Sequence, residues 1–497
     1  MHKLLLSAAV IAMTSMPVQA GPSDNSLIWA SDSIPANIEF YEGGAIREGL
    51  VLGKHIWDTL MEYDAVSGTY QPHLAESYEF IDATTIEFKL RRGVLFHNGH
   101  ELNADDVVAT VEYVTTKITS LPIVFLSGAE KIDDYTVRLI TPRQFPTILE
   151  NLANQLPIYP AAYFQEVGSE GMSRAPIGTG PYKVVEHLEG ESVTMELFPD
   201  YFGGVKGEPV LDRIVFRRIA EFNTQAIELM TGGVDWIWRV PPDAVQQLAN
   251  SGTVKVERGA TARFGFLRMD AAGISGENPL TDILVRKAIN HAIDREGIRA
   301  AFMGEGSEVI DAPCSPMQFG CVLDHVVTYE FDPKKARALL AEAGYPNGFE
   351  ITLYAYRDRA VVEAILGNLA AVGITANLQY LQASALTTVR DEKQLTMLYQ
   401  VWGSQSVMDV SGAIGFWFDG SANDLSLDAT VTDLLQQGIT IDADVRLKVY
   451  AEALGLISEQ AYVVPMFTYP VTYAFNPALN FVSTADELPK FYQVSWQ

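Results

Sequence analysis

Basic residues are scarce in this 497-residue sequence, in which 35 Lys and Arg stand against 62 Asp and Glu and give a formal net charge of −27 at pH 7. A surface this acidic repels nucleic acid and anionic lipid headgroups. Long apolar runs are also absent, because no stretch after the N-terminal one approaches the roughly eighteen residues of a membrane-spanning helix. These two shortages disfavour a nucleic-acid-binding protein and a helical membrane protein.

The motifs of the common hydrolases are absent as well. The sequence has no Gly-x-Ser-x-Gly nucleophile elbow, no His-Glu-x-x-His zinc motif and no convincing cysteine–histidine pair. His97 and His100 have the spacing of two metal ligands, but Asn98-Gly99 between them is a strong turn signal, and two histidines alone make a poor metal site. We therefore expect no enzyme, metal or cofactor, although a hydrolase that uses a pair of carboxylates stays open.

The N-terminus has the three parts of a secretory signal, namely Lys3, an apolar run over 4–13, and Val18-Gln19-Ala20 before Gly21. About ten apolar residues are too few to cross a hydrocarbon core of about 30 Å, which argues against a membrane anchor. A lipid anchor is also disfavoured, because the sequence has no cysteine near the cleavage site. We predict that residues 1–20 are a signal peptide cleaved after Ala20, and that the mature chain is a free periplasmic protein.

Only two cysteines are present, Cys314 and Cys321, with six residues between them. In the oxidising compartment that the export signal implies, this pair favours a local disulfide. A metal or redox site would normally need more ligands or a closer Cys-x-x-Cys pair, so those alternatives are less favoured.

Helix and strand signals alternate most clearly between residues 332 and 402. Asp332 is suited to cap a helix, Pro333 to begin it and Gly344 to end it. The run predicts helix 333–343, strand 349–355, helix 358–371, strand 374–381, helix 385–393 and strand 395–402. This alternation on short links predicts a parallel α/β unit, whose ligands bind outside the carboxyl ends of the strands. The side chains that follow two of these strands are Tyr356, Arg357, Arg359, Trp402, Gly403 and Gln405.

Two aromatic pairs are further ligand candidates. Phe40 and Tyr41 lie in a loop-like segment after a first predicted strand over 26–30, but they are weak candidates, because an ordinary packed surface is the favoured explanation for them. Trp236 and Trp238 are two residues apart, so both would project from one face of a strand and could form an aromatic wall for a ligand. The alternative is that these tryptophans fill a core between domains.

A segment with two glycines between two prolines lies about one third of the way along the chain. Its residues Pro176-Ile177-Gly178-Thr179-Gly180-Pro181-Tyr182 cannot lie inside a helix or a central strand, and the alternation over 182–197 predicts a hairpin after it. This segment resembles the signature of family 5 extracellular solute-binding proteins, the dipeptide- and oligopeptide-binding group that serves ABC importers. Blocks similar to the family's also occur, in the same order, at 74–107, 285–295 and 331–345.

The resemblance implies an α/β fold like that of type II periplasmic binding proteins, with two lobes around a central cleft and an extra strand-rich domain. The long chain agrees with two or three domains. The expected division is 1–20 for the signal peptide, 21–63, 173–283 and 467–497 for domain I, 64–172 for domain II, and 284–466 for domain III.

The resemblance also implies roles for several candidates. In peptide-binding members, an arginine after the first strand of the α/β unit holds the ligand carboxylate, and Arg357 or Arg359 occupies that position here. An acid commonly stands three residues past the tryptophan and pairs with the ligand ammonium, but this chain has Gln405 there and its nearest acid is Asp409. Either Asp409 takes over, or the ligand is neutral or sugar-like at that end.

The expected function is therefore that of a monomeric periplasmic receptor that captures a peptide or peptide-like solute between two closing lobes and delivers it to the permease subunits of an ABC transporter. The alternative is a receptor of the same fold for a non-peptide solute, such as an opine-like conjugate, a short oligosaccharide or a metal chelate. A secreted hydrolase is the least favoured reading.

Overall fold

The fold was analysed in a computed structural model, which describes residues 21–43, 47–64, 67–118, 123–403 and 407–497. The predicted signal peptide lies outside this range. Within it, the chain forms a seven-stranded, a five-stranded and a four-stranded sheet together with two small two-stranded sheets. No helix of the described residues is both long and apolar enough to cross a membrane.

The first lobe is built on the seven-stranded sheet, whose strand order is β12-β18-β11-β1-β10-β9-β8. These strands are β1 (Ser26–Ser31), β8 (Tyr182–Leu188), β9 (Ser192–Leu197), β10 (Arg213–Arg218), β11 (Trp236–Trp238), β12 (Lys255–Gly259) and β18 (Val471–Phe475). Segments far apart in sequence thus share one sheet, which requires the chain to leave this lobe and return to it. The predicted hairpin is formed by β8 and β9, which pair antiparallel.

The second lobe is built on the five-stranded sheet, ordered β15-β14-β16-β13-β17. Its strands are β13 (Phe264–Met269), β14 (Phe349–Ala355), β15 (Ile374–Tyr380), β16 (Met397–Trp402) and β17 (Val463–Thr468). β14 pairs in parallel with both β15 and β16, as the α/β prediction requires. β13 is fully buried between β16 and β17, so the chain enters this lobe before residue 284, where the sequence placed the boundary.

The strand-rich domain contains the four-stranded sheet, ordered β4-β5-β7-β6. Its strands are β4 (Ala75–Phe80), β5 (Thr85–Leu90), β6 (Gly128–Asp133) and β7 (Thr136–Ile140), and the small sheets pair β2 (Met61–Asp64) with β3 (Thr69–Pro72) and β19 (Leu479–Asn480) with β20 (Ser495–Trp496).

Helices cover these sheets. They are α1 (Arg47–Ile56), α2 (Ala104–Thr116), α3 (Ile148–Gln155), α4 (Ala161–Arg174), α5 (Phe222–Thr231), α6 (Pro242–Asn250), α7 (Ile283–Ala292), α8 (Arg295–Phe302), α9 (Pro333–Glu342), α10 (Arg359–Ala371), α11 (Ala383–Asp391), α12 (Ser411–Trp417), α13 (Ala429–Gln437) and α14 (Ala443–Glu459). The predicted cap holds at α9, where the Asp332 carboxylate accepts from the backbone N–H groups of Lys334 and Lys335.

The glycine- and proline-rich segment passes against the end of α1. A Cβ atom added to Gly178 would lie 2.0 Å from the carbonyl oxygen of Ile56, and one added to Gly180 would lie 2.5 Å from that of His55, so no larger residue fits. His97 fixes the same segment from the strand-rich domain, because its backbone N–H donates to Gly178 O at 2.8 Å and its Nε2 lies 2.9 Å from Gly180 O. His97 therefore joins the segment 74–107 to the segment 176–182 by hydrogen bonds.

Candidate solute-binding cleft

A cavity of about 430 Å³ lies between the two lobes, beside the two segments that join them. Small-molecule sites typically have this size and this position between domains. Its lining residues are Arg47, Arg239, Val240, Pro241, Pro242, Arg258, Arg263, Phe302, Met303, Asp358, Arg359, Ala360, Val361, Tyr469, Pro470, Val471, Thr472 and Glu487.

The lining of this cavity is strongly basic. Among the residues that the structure describes, five arginines line it, but only two carboxylates do, those of Asp358 and Glu487. In a protein whose formal net charge is −27, such a concentration of positive charge is local to the cleft. A cleft of one sign with low-dielectric walls concentrates ions of the opposite sign, so this one favours anions.

Two arginines of the first lobe lie over one tryptophan. The Cζ atom of Arg239 is 4.2 Å from the ring centre of Trp238, and that of Arg47 is 5.9 Å from it. Trp238 is itself fixed, because its Nε1–H donates to Ser31 Oγ at 3.0 Å. Arg239 is further held by Glu48, at 2.9 Å. Trp238, one of the predicted ligand candidates, thus holds two arginines of the cavity lining through cation–π contacts.

Arg47 has no such carboxylate partner. Among the described residues it makes no ion pair and no hydrogen bond, although Trp238 lies below it. Burial, together with the charges of Arg239 and Arg263, lowers the pKa of Arg47 to about 10. The side chain stays protonated at neutral pH, and the charges of Glu48 and Glu487 oppose the shift, although neither carboxylate forms an ion pair with Arg47.

Arg263 lies on the segment that leads from β12 to β13. Its Nε and Nη2 atoms donate to both carboxylate oxygens of Glu487, at 3.0 and 2.8 Å. Such bidentate pairs fix geometry as well as charge. Arg258, on β12, makes only one long hydrogen bond, at 3.4 Å, to the carbonyl oxygen of Glu305.

The second lobe presents the start of α10 to the cavity. The preceding residue Asp358 adopts a left-handed conformation (φ 52°), and its carboxylate accepts from the Tyr469 hydroxyl at 3.0 Å instead of capping the helix. The first residues of α10, Arg359, Ala360 and Val361, line the cavity. Uncapped N–H groups at a helix start are suited to bind an anion, and here they add to the arginine charge.

Unfavourable backbone conformations also concentrate at this cavity. Seven non-glycine residues of the described chain have positive φ, and three of them, Arg239 (54°), Asp358 (52°) and Glu487 (61°), line the cavity. Such conformations cost on the order of 1–3 kcal/mol each and cluster at ligand-binding sites. All three place charged side chains around one small volume.

Of the two predicted arginines, Arg359 lines the cavity and Arg357 does not. Arg359 is exposed, and its Nε donates to Glu363 at 2.8 Å. Arg357 instead lies 3.3 Å from Asp358 and points back over the ring of Tyr356, whose hydroxyl accepts from Gln400 Nε2 at 3.1 Å. The αL turn at Asp358 sends these two neighbouring arginines in different directions.

The second predicted strand end is only partly described, because Gln405 lies outside the described residues. Trp402 is half-buried and packs against the core around Phe264 and Phe266. A Cβ atom added to Gly403 would lie 3.8 Å from Arg263 Nη2, so this end of β16 adjoins the cleft. The predicted tryptophan and glycine therefore stand beside the arginine cluster without lining the cavity itself.

Asp409 is bound within the protein. One carboxylate oxygen accepts from the backbone N–H of Ser411 at 2.9 Å and from its hydroxyl at 2.5 Å, and the other accepts from Arg446. The side chain is buried together with that arginine. In this structure Asp409 braces the loop before α12 and presents no free oxygen to the cleft.

The remaining aromatic candidates lie in the core of the first lobe and the strand-rich domain. Trp236 is fully buried and contacts the rings of Trp29, Tyr473, Phe481 and Phe491. Phe40 and Tyr41 are buried too, and the Tyr41 hydroxyl donates to Pro157 O at 2.6 Å. The rule that i and i+2 share a face was correct for the tryptophans, but β11 is central and that face is covered.

The cysteines form the disulfide that the sequence predicts, Cys314–Cys321. The loop that it closes lies against the segment that follows the predicted binding residue Gln405. Phe319 N–H donates to Met408 O at 2.8 Å, Val410 N–H donates to Phe319 O at 2.9 Å, and Gln318 Nε2 donates to Asp409 O at 3.2 Å. The disulfide loop therefore supports the segment that follows Gln405.

Sequence reasoning missed four cleft arginines, Arg47, Arg239, Arg258 and Arg263. Arg239 directly follows β11, so the rule about carboxyl ends of strands could have found it. The other three come from a helix start, an edge strand and an interlobe crossing, and no local pattern marks them.

The family model for bacterial extracellular solute-binding proteins, family 5 (middle), matches residues 69–424. The chain belongs to this family. Its fold is accordingly that of the type II periplasmic binding proteins, whose solved structures align with nearly the whole chain. The structure of HbpA2 from Haemophilus parasuis covers 95% of this chain and 100% of its own, with a TM-score of 0.83 and 24% identity.

Two curated relatives are similar over most of their length. Heme-binding protein A of Haemophilus influenzae is 25% identical over 93% of this chain and 90% of its own, and the glutathione-binding protein GsiB of Escherichia coli K12 is 28% identical over 82% of each. Among solved structures, AgaA from A. tumefacien R10, in complex with agropinic acid, is 25% identical, covers 95% of this chain and 99% of its own, and has a TM-score of 0.72. The relatives share a family and differ in the solute they bind.

Proposed function

We propose that this protein is a monomeric periplasmic receptor that encloses a peptide or peptide-like solute bearing a carboxylate between its two lobes and delivers it to the permease of an ABC importer. The observation that carries the proposal is the arginine-lined cavity at the junction of the lobes. Arg359 and the uncapped start of α10 form its wall on the second lobe, and this is the wall to which the resemblance assigns the ligand carboxylate.

The geometry supports binding without catalysis. The cavity brings together arginines that are suited to hold a carboxylate, and the two acids that line it are engaged, Glu487 with Arg263 and Asp358 with Tyr469. We infer that affinity comes from pairing the acidic group of the solute inside the closed cleft, and that closure follows from the preference of the solute for that state.

A non-peptide acid is the second candidate. Agropinic acid is the ligand of a relative that is 25% identical to this chain, and an arginine-lined cavity is suited to any organic acid of matching size. Asp409, the acid nearest to the position of the family's ammonium partner, is bound to Arg446 and Ser411. This arrangement favours a ligand without a free ammonium at that end, and thus an acylated peptide or an opine-like acid over a peptide with a free α-amine.

The experiment is native mass spectrometry of the protein extracted from its own periplasm, followed by calorimetry with the solute it carries. We expect one bound acid per protein and a dissociation constant that rises at least tenfold, about 1.4 kcal/mol, in Arg359→Gln. Arg174→Gln, an exposed arginine of α4 that pairs only with Glu170 of its own helix, is the control. A bound solute without an acidic group, or unchanged affinity in Arg359→Gln, would overturn the proposal.

A further inference from the structure

The five cleft arginines fall into two groups, those that form an ion pair with a carboxylate and those that do not. Three of them have a partner: Arg239 with Glu48, Arg263 with Glu487, and Arg359 with Glu363. Arg47 and Arg258 have no carboxylate within 4.0 Å among the residues that the structure describes.

The two unmatched arginines belong to the same wall of the cleft. Arg47 begins α1 and Arg258 lies on β12, both in the first lobe, whereas Arg359 and the start of α10 belong to the second lobe. The cavity thus has two anion-binding walls that face each other across the interlobe gap. One acidic group can neutralise only one of them.

Closing the lobes without a ligand brings like charges together. Arg47 is already partly buried and experiences repulsion from Arg239 and Arg263, which the charges of Glu48 and Glu487 offset only in part. The unpaired cation then costs free energy each time the cleft shuts. A solute that carries an acid for each wall removes this cost, because it replaces the repulsion with two attractive pairs.

We propose that the cleft selects solutes with at least two acidic groups, the first held by Arg359 and the N–H groups of α10, the second by Arg47 and Arg258. This inference rests on the proposed function and adds the charge of the solute to it. On this proposal, closure of the cleft depends on the charge of the solute. A monoacid leaves Arg47 and Arg258 without a negative partner, whereas a diacid binds to both lobes at once. The cavity, at about 430 Å³, is in the size range of small-ligand sites.

The test compares two N-acetylated dipeptides of nearly equal size, N-acetyl-Ala-Glu (Ala-Glu below) and N-acetyl-Ala-Gln (Ala-Gln below), by calorimetry with protein freed of bound solute. We expect Ala-Glu to bind at least tenfold more tightly. In the double variant Arg47→Gln/Arg258→Gln the preference should fall below about threefold, while Arg174→Gln keeps it. Thermal unfolding of each variant shows whether it is folded. Raising the salt concentration for the wild-type protein from about 50 to about 500 mM should weaken Ala-Glu more than Ala-Gln, which tests the same point without any substitution.

The outcomes separate the two proposals. Equal binding of both dipeptides overturns the selection for diacids and leaves the proposed receptor function standing. A preference for Ala-Glu that survives in the double variant overturns the assignment to Arg47 and Arg258. Binding of neither dipeptide overturns the proposed peptide-like solute, and this inference with it.

Discussion

Two clusters of charged residues, one at the junction of the first lobe with the strand-rich domain and one at the cleft, differ in how far their charges are matched within the protein. At its junction with the strand-rich domain, Lys54 lies 3.0 Å from Glu62, while Asp58 lies 2.6 Å from Lys206 and 3.0 Å from His73. All five side chains are buried. Although burial favours the protonated acid, Lys206 and His73 hold the pKa of Asp58 below its ordinary value. Every charge in this junction cluster has a partner within the protein.

The cleft arginines are arranged differently, because two of the five, Arg47 and Arg258, have no carboxylate within 4.0 Å among the described residues. A charge that is partly removed from water and has no carboxylate partner costs free energy, and a ligand that supplies the missing charge would remove that cost. The comparison therefore separates a cluster whose charges are matched within the protein from one that, on our proposal, a ligand completes. Three substitutions or titrations test that distinction.

Breaking the compensated cluster should have the largest effect. In Lys206→Met, Asp58 loses its closest cation while it remains buried, and the Lys206 hydrogen bonds to the carbonyl groups of Lys54 and Trp57 are lost. We expect the free energy of unfolding to fall by about 3–5 kcal/mol, measured by urea denaturation.

The matched control for this prediction is Lys131→Met. Lys131 pairs with Asp105 and Asp134 on the surface, where ion pairs contribute about 0–1 kcal/mol. If Lys206→Met lost no more stability than this control, the junction cluster would not be the structural element that its geometry indicates.

Glu150 is a buried carboxyl group that is neutralised by a proton and not by a cation, and we expect it to have an intermediate effect on the free energy of unfolding. Glu150, on α3, is buried against the second lobe, where it accepts from the backbone N–H of Met408 and from the Tyr70 hydroxyl. Burial and the nearby charge of Asp409 raise its pKa to about 8, although Arg446 and the two hydrogen bonds oppose this shift. At neutral pH the folded protein therefore binds a proton here that the unfolded chain has lost.

The sign of the pH dependence follows from this raised pKa. The stabilisation is fully present below the ordinary pKa of 4.5 and is lost as the pH rises through about 8. We expect the unfolding free energy to fall by about 1.4 kcal/mol between pH 7 and pH 9, from a single proton released by the folded state. Glu150→Gln, which keeps an acceptor oxygen, should remove this part of the pH dependence. An identical alkaline loss in both proteins would contradict the assignment.

The same contrast explains what the sequence could predict. The unit β14-α10-β15-α11-β16 has caps, glycine stops and short links, all of which are local signals, and each predicted element occurs within a few residues of its expected place. The packing of Gly178 and Gly180 against the end of α1 gives the predicted crossing its physical reason. Local chemistry was sufficient wherever neighbours in sequence are also neighbours in space.

The cleft could be predicted only in part, because its charges come from distant segments. Arg359 was found since it follows a strand, but Arg47 and Arg258 reach the cavity through the packing of α1 and β12, which no short pattern encodes. Trp236 is the opposite case, a residue that was predicted to contact the ligand but that lies in the core. Its spacing from Trp238 suggested an exposed wall, whereas strands on both sides of β11 and rings from the C-terminal segment bury it.

Removing an uncompensated charge should have the smallest effect on stability, and of the opposite sign. In Arg47→Gln the repulsion from Arg239 and Arg263 disappears together with a weaker attraction to Glu48 and Glu487 and the contact with the Trp238 ring, and among the described residues no ion pair is lost. We expect the unfolding free energy of the ligand-free protein to stay within about 0.5 kcal/mol of the wild type or to rise slightly, as is usual for substitutions that relieve a functional site. The matched control is Arg239→Gln, which leaves the largely buried Glu48 without its arginine and should cost about 1–3 kcal/mol. Urea denaturation of both variants decides the matter. If Arg47→Gln were destabilised as much as Arg239→Gln, then groups within the protein would already neutralise the charge of Arg47. The proposal that the solute supplies the missing negative charge would then be wrong.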